Sequence, residues 1–523
     1  MYVRRGLLAA ASGLLLAVSG CTSFATTVTA ASTGSASASA PPSAPAPKPI
    51  AWKDCTGQIK PLISGQPGSD RPLTFECGRT DVPISYAEPR GATMPLFLLR
   101  AKLAGQTDRI GSLVVNPGGP GASGADAAVG LSLQIPDDVL KRFDLVGLDP
   151  RGVGLSTPVQ CISPELKNEM IASEPRPTST QQLDDAFALQ RKIDSACTSK
   201  YGNALSAFNT VDTARDLDRI RQSLGDEKLT YLGYSYGTTL GSVYAHLFPT
   251  HIRALVLDGA VDPDADPKTD AENSAAGLEK GFDAFAANCT GLASGCPIGG
   301  NPRQFLQDLL AQAAQNPIPS TKSGETRKAT PGVIMVGVLS ALYDSGSWPE
   351  LAQALAAAQK GDAKGLFTLA DSYAGRLDDG SYSNLLDANL AVNCADTPTN
   401  EQVSETDIRR LAGEWNQKYP LFGAGAAAGL YGCIPWKVDR TPLPKRDAKG
   451  SAPLVVVGNS GDPVTPLQGA VDLSRDLTTG VLLTWQGQGH TSYPKTPCVT
   501  TAVDSYLVDL KAPLDGLTCP ASG

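Results

Sequence analysis

The stretch that most constrains the fold is a short apolar run, Leu229 to Leu232, which ends in Gly233-Tyr234-Ser235-Tyr236-Gly237 and continues as small and apolar residues to His246. This reads as strand, sharp turn and helix, with a serine at the point of the turn. Glycines two positions either side of Ser235 let the backbone take a strained elbow and let strand and helix approach closely. The serine hydroxyl then projects to where a base and a substrate both reach it. A G-x-S-x-G string alone is common; the strand–turn–helix setting gives this one mechanical meaning.

The chain around the elbow repeats the strand-then-helix pattern. Leu113 to Val115 runs into Asn116-Pro117-Gly118-Gly119-Pro120-Gly121, Phe143 to Leu148 runs into Asp149-Pro150-Arg151-Gly152, and Ala254 to Leu257 ends at Asp258-Gly259. Asp81 to Tyr86 and Met94 to Leu103 read as two earlier strands about a turn at Pro89-Arg90-Gly91. Thr213, with Asp216 three residues on, reads as a helix cap, followed by Ala214, Leu217, Ile220 and Leu224 and a stop at Gly225. Apolar strands without alternation are those of a parallel sheet covered on both faces, so an α/β fold with a mostly parallel central sheet is predicted. Catalytic loops in such sheets gather at the carboxyl ends of the strands. The glycine-rich loop, the Asp149 loop and Ser235 all fall there.

A chain of 523 residues exceeds one ordinary core. Between about 267 and 435 helical periodicity dominates, as in Phe305 to Ala314, Val333 to Tyr343 and Leu351 to Leu369. Strand patterns return at Leu454 to Val457 and Val481 to Trp485. The expected organisation is a core over 50–266 and 436–523, with a large helical cap over 267–435 inserted before the last strands.

An activated serine requires a base, usually a histidine oriented by a carboxylate. The chain has 3 histidines. His246 lies in the helix that begins at the elbow, about 16 Å along its axis from Ser235 at roughly 1.5 Å per residue, and His251 follows that helix at the far edge. His490, on the loop after the last strand, is at the right rim and is the candidate base. The carboxylate should lie between serine and histidine in the chain. Asp462, in a Gly/Pro-bounded loop after Leu454 to Val457, is favoured; Asp258 is the runner-up. The oxyanion requires two preset N–H donors. Tyr236, following the nucleophile, supplies one, and the glycine-rich loop the other, with Gly119 preferred and Gly118 its neighbour. No Lys-Ser or Lys-Thr follows that loop, which argues against nucleotide binding.

The first residues read as an export signal: Arg4 and Arg5, then an apolar Gly6 to Val18 too short to span a bilayer, then Val18-Ser19-Gly20-Cys21, which resembles a bacterial lipobox. Residues 1–20 are expected to be removed and Cys21 lipidated. An Ala/Ser/Pro-rich linker over 21–49 would tether the folded part to the outer face of the membrane, from which it could be shed. Of 11 cysteines, removing Cys21 leaves an even ten, which in an exported chain favours disulfides. Neighbouring pairs are expected: Cys55–Cys77, Cys161–Cys197, Cys289–Cys296, Cys394–Cys433 and Cys498–Cys519. With no C-x-x-C and so few histidines, neither a metal site nor a cofactor is expected. A net charge of −8 and a pI near 5.1 argue against nucleic acid as a partner.

Taken together, Asn116-Pro117-Gly118-Gly119-Pro120-Gly121, Asp149-Pro150-Arg151-Gly152-Val153-Gly154, Gly233 to Thr238, Leu257 to Pro263, Gly461 to Pro466 and Gly489-His490-Thr491 resemble, in order, the blocks of the secreted tripeptidyl aminopeptidases and proline iminopeptidase relatives of the α/β-hydrolase fold, especially their actinobacterial cell-envelope branch. The resemblance spans about 50–520. It implies a serine exopeptidase whose cap restricts access to peptide N-termini, with Ser235, Asp462 and His490 as triad, and peptides or proteins with free N-termini as substrates. One departure is Pro117, where proline iminopeptidases carry histidine in the oxyanion loop. A free α-ammonium calls for a carboxylate in the cap, for which Asp396 is the candidate, with other Glu and Asp of the cap equal to it on charge alone, and Thr465 is a candidate lining residue of the substrate pocket. An esterase or lipase using the same triad is the alternative.

Overall fold

In the computed structural model, residues 45–262 and 265–521 are described. The leader, Cys21 and nearly all of the linker lie outside them. Ten strands form one sheet: β1 (Lys53–Asp54), β2 (Leu73–Pro83), β3 (Thr93–Leu103), β4 (Gly111–Asn116), β5 (Phe143–Leu148), β6 (Leu229–Tyr234), β7 (Ile252–Asp258), β8 (Leu454–Gly461), β9 (Gly480–Gln488) and β10 (Leu517–Cys519), in the order β1-β2-β3-β5-β4-β6-β7-β8-β9-β10. The β1–β2, β2–β3 and β3–β5 pairs are antiparallel, and every pair from β5–β4 to β9–β10 is parallel. The mostly parallel α/β sheet is as expected.

The continuous apolar runs become strands buried on both faces. All six residues of β4, β5 and β6 are buried. Their side chains still alternate: Val114, Val146, Tyr231, Leu255 and Val456 enter one core, and Leu113, Val115, Leu145, Leu232, Val256 and Val455 the other. The strands adjoining the elbow are therefore held from above and below, and the residues at their carboxyl ends start from fixed points.

Helices Pro267–Thr290 to Gly423–Gly429 lie between β7 and β8, the stretch read as the cap. Two local readings are corrected. The periodic run Leu351 to Leu369 is two helices, Trp348–Gln359 and Lys364–Ala374, broken where Gly361 takes φ +94°. The helix read from Thr213 begins at Thr210, with Asn209 as its cap accepting from Asp212 N at 2.8 Å. Asp216 instead receives the guanidinium of fully buried Arg151 at 2.7 and 2.8 Å.

A helical excursion between β5 and β6, containing Pro164–Ala172 and Thr180–Tyr201, is a further departure from the expected order. Leu183 and Phe187 of the longer helix form a small core with Ile408, Leu411, Trp415 and Tyr431, so the cap has two chain segments. All five expected disulfides are present. Among the described residues no helix is long and apolar enough to cross a membrane.

The Phe187 ring stacks on Tyr431 with centroids 4.1 Å apart. Phe187→Ala should cost about 3 kcal/mol, the scale of deleting a buried aromatic, read as a lower urea midpoint. An unchanged midpoint would detach Thr180–Tyr201 from the cap's stability.

Candidate active site

Ser235 sits between β6 and the helix Tyr236–Leu247 with φ 54° and ψ −125°. A non-glycine residue there is strained by about 1–3 kcal/mol and persists only where its surroundings hold it. They do so from several directions. Ser235 N donates to Asp258 O at 2.9 Å, and Ser235 O accepts from Thr238 N at 2.8 Å and Thr238 Oγ1 at 2.7 Å. Tyr231 Oη donates to Gly237 O at 2.8 Å. The expected closeness of strand and helix is real, since a Cβ on Gly233 would fall 2.4 Å from Gly237 O.

The glycine-rich loop after β4 reaches the same turn. Gly118 takes φ +93°, and a Cβ there would stand 2.9 Å from Ser235 Cβ and 3.1 Å from Tyr236 N. Any side chain would fill the space beside Ser235. Gly118 N donates to Asn116 Oδ1 at 2.9 Å, which leaves Gly119 as the better candidate for the loop's N–H donor. Tyr236 opens its helix, where the backbone N–H has no intrahelical acceptor.

His490 lies after β9 and is buried. Its Nδ1 is 2.9 Å from Asp462 Oδ2 and 3.1 Å from Oδ1. Its Nε2 is buried and has no hydrogen-bond partner among the described residues, so one ring nitrogen is oriented and the other is free to exchange a proton. Asp462, directly after β8, also accepts from Val464 N and Thr465 N, both at 2.9 Å. Burial pushes its carboxyl up, but the charge and hydrogen bond of His490 and these backbone donors outweigh it and hold the pKa below the ordinary carboxylate value.

The runner-up carboxylate, Asp258, does something else. Its oxygens accept from Ser492 N at 3.0 and 3.1 Å and from Tyr493 N at 2.7 Å, while its backbone carbonyl holds Ser235 N. One residue thus ties the elbow to the loop that follows His490. Thr465 is buried behind the histidine: its Oγ1 lies 3.0 Å from Asp462 Oδ2 and 3.2 Å from His490 Nδ1. That placement differs from the expected pocket lining. His246 pairs with Asp447 at 3.0 Å and His251 with Asp218 at 2.8 Å.

Asp396 is likewise displaced from its expected task. It ends the cap helix Leu385–Asp396 and is buried, and its oxygens accept from Thr210 N at 3.0 Å and Thr210 Oγ1 at 2.6 Å. Burial pushes its pKa up to about 7, against these donors and the charge of Arg446. Both oxygens being engaged inside the protein, it is not presented to a substrate ammonium. Two residues carried no sequence signal. Tyr343, after the cap helix Pro331–Leu342, accepts from His490 N at 2.8 Å, and its ring stands edge-on to the imidazole at 5.2 Å. Lys495 Nζ donates to His490 O at 2.6 Å. Among the described residues no group of His, Cys, Asp and Glu is placed to hold a metal ion.

A serine at a strained elbow, a buried carboxylate–histidine pair and a glycine-lined loop on one sheet rim define a serine hydrolase site of the α/β-hydrolase kind. Residues 111–494 match the alpha/beta hydrolase fold family, to which the chain belongs. It is 37% identical over 486 residues to the serine protease Hip1 of Mycobacterium tuberculosis, covering 90% of this chain and 91% of that protein. It is 32% identical over 488 residues to a tripeptidyl aminopeptidase of Streptomyces lividans, covering 90% and 86%. It is also 35% identical over 463 residues to a protein named carboxylesterase B from Mycobacterium tuberculosis, covering 85% and 86%. Within the α/β hydrolases the chain therefore belongs with the serine peptidases related to tripeptidyl aminopeptidases.

Because folding lowers the pKa of Asp462, its ionised form contributes stability that is present above the ordinary carboxylate range, about pH 4, and is lost as pH falls through the folded value. Asp462→Asn should cost about 2 kcal/mol at neutral pH, the scale of a hydrogen bond to a charged group. The difference from wild type should close below about pH 4, measured by urea denaturation across pH. A gap independent of pH would show that the charge of Asp462 does not stabilise the fold.

Proposed function

We propose that the protein is an exported serine aminopeptidase that releases short peptides, tripeptides foremost, from the free N-termini of peptides and proteins. The serine-hydrolase part of this reading is carried by the buried Asp462–His490 pair with an unpartnered Nε2, on the rim where the elbow presents Ser235, and its aminopeptidase part is supported by the similarity to a tripeptidyl aminopeptidase. In this mechanism Ser235 Oγ attacks the scissile carbonyl carbon and its proton passes to His490 Nε2. The oxyanion is received by the N–H groups of Tyr236 and Gly119. His490 returns the proton to the leaving amine as the C–N bond breaks, and Asp462 stabilises the transient imidazolium. Water then hydrolyses the acyl-Ser235 intermediate by the same proton route.

Disulfides fit an oxidising compartment outside the cytoplasm. We place the protein there on a lipid attached at Cys21, held by the linker at the outer face of the membrane.

The relative named carboxylesterase B favours one alternative, an esterase using the same triad. Ser235→Ala should lower hydrolysis of a tripeptidyl p-nitroanilide by about 10⁴-fold or more with the circular dichroism spectrum unchanged. Wild-type enzyme should lose most activity when the substrate's amine is acetylated. Full activity on the blocked anilide, with faster turnover of acyl esters, would instead establish the esterase.

A further inference from the structure

The cap does more than cover the site. Both groups assigned to receive the oxyanion adjoin a contact made by one cap helix, Leu385–Asp396. At its middle, Asn389 Nδ2 donates to Pro120 O at 3.1 Å, next to Gly119. There the helix lies directly on the loop, since a Cβ on Gly121 would fall 2.7 Å from Leu385 O and 3.1 Å from Ala388 Cβ. At its last residue, Asp396 accepts from Thr210 Oγ1 at 2.6 Å, and Thr210 Oγ1 lies 2.5 Å from Tyr236 Oη. With the Thr210 hydroxyl donating to the carboxylate, the phenol donates to Thr210. A continuous chain of hydrogen bonds thus runs from cap helix to Asp396, to Thr210, to Tyr236.

The helix is itself fixed. Asn384, before its first residue, accepts from Gly154 N at 2.9 Å and donates to Gly152 O at 2.6 Å and Val159 O at 2.9 Å. Asp387 accepts from Cys161 N and Ile162 N, both at 2.7 Å, and pairs with buried Lys167 at 2.6 Å. Cys394 is bonded to Cys433, and Ala391 and Cys394 enter the sheet's own core. From Asn389 to Asp396 the helix spans about 10 Å at 1.5 Å per residue, a rigid rod against both sides of the site.

We propose that helix Leu385–Asp396 sets the oxyanion hole, with Asn389 and Asp396 as positioning residues for the Gly119 and Tyr236 donors. The proposal rests on Ser235 being the nucleophile and on those two donors. An oxyanion donor acts only when it meets the developing charge at hydrogen-bond distance, so a loosened support lowers the rate of the chemical step and leaves substrate binding alone. The Tyr236 N–H also belongs to the elbow, and the phenol–Thr210 bond is the elbow restraint that leads into the cap.

The test measures kcat and KM per titrated active site, using a fluorophosphonate to count competent Ser235, for a free-amine tripeptidyl anilide and an N-blocked aryl ester. Asn389→Ala, Asp396→Asn, Thr210→Val and Tyr236→Phe should each lower kcat about tenfold on both substrates, with KM within about twofold, a modest share of what losing a donor outright costs. They should slow fluorophosphonate inactivation in parallel. Tyr236→Phe combined with Asp396→Asn should lose little more than either alone, because both cut one chain. Tyr236→Phe and Thr210→Val remove single oxygen atoms and keep the test available should Asp396→Asn not fold. A rise in KM confined to the free-amine substrate would make Asp396 an amine receptor and overturn the proposal. Unchanged kcat per active site in Tyr236→Phe and Thr210→Val, or multiplied losses in the double variant, would overturn it too. A wild-type enzyme that fluorophosphonate labels elsewhere than Ser235 would remove the nucleophile assignment and the proposal with it, a result distinct from normal labelling in all variants.

Discussion

The site depends on a backbone conformation that Ser235 would not adopt alone. With φ at 54°, the elbow stores strain, and the surrounding hydrogen bonds offset it. The restraints come from separate parts of the chain: Asp258 from the neighbouring strand, Thr238 from the first turn of the helix, Tyr231 from the elbow strand, and Thr210 from another helix. Each bond contributes only about 1 kcal/mol net. Together they make the serine's position a property of the sheet rather than of the loop. This is why Ser235 can stand partly exposed without its backbone relaxing into an ordinary turn.

Two carboxylates at the ends of adjacent strands divide the remaining work. Asp258 ends β7 and binds backbone N–H groups of the loop after His490; Asp462 follows β8 and binds the imidazole itself. In the sequence each is an aspartate after an apolar strand in a glycine-containing loop, and the Gly/Pro-bounded setting of Asp462 only favours it. What settles the choice is which side of the histidine loop each strand end faces, a relation between β7, β8 and β9 that the structure supplies. The histidine was legible because three candidates left one at the right rim. The elbow and the glycine loop were legible because close approach of backbones restricts those positions to glycine.

The cap was legible in outline and opaque in detail for a physical reason. Its helices pack mainly on one another, so their apolar stripes reveal helix but not partner. Helix Thr180–Tyr201 has Leu183, Phe187, Ile193 and Cys197 as its buried apolar residues along 22 positions, a stripe too thin to announce that it belongs with residues 408–431. Near the site, Asn209-x-x-Asp212 and Thr213-x-x-Asp216 have the same spacing, and local rules rank neither first. Tertiary structure decides, because buried Arg151 claims Asp216 and Asp396 claims the first N–H of the helix at Thr210. The role expected of Asp396 failed for a related reason: its position in the cap was right, but its side chain points back into the core.

Proteins named protease, tripeptidyl aminopeptidase and carboxylesterase align along most of this chain at similar identity. Serine, histidine, carboxylate and oxyanion donors serve amides and esters by the same proton transfers, so those elements do not choose between substrates. Under the proposed function, that choice falls to the walls the cap supplies. Here the cap touches the site at Tyr343, through the backbone of His490, at Asn389, through Pro120 O, and at Asp396, through Thr210. Moving that part of the cap as a lid would break these hydrogen bonds. Under the proposed function, substitutions that reshape the cap must therefore also be tolerated by the site residues it touches.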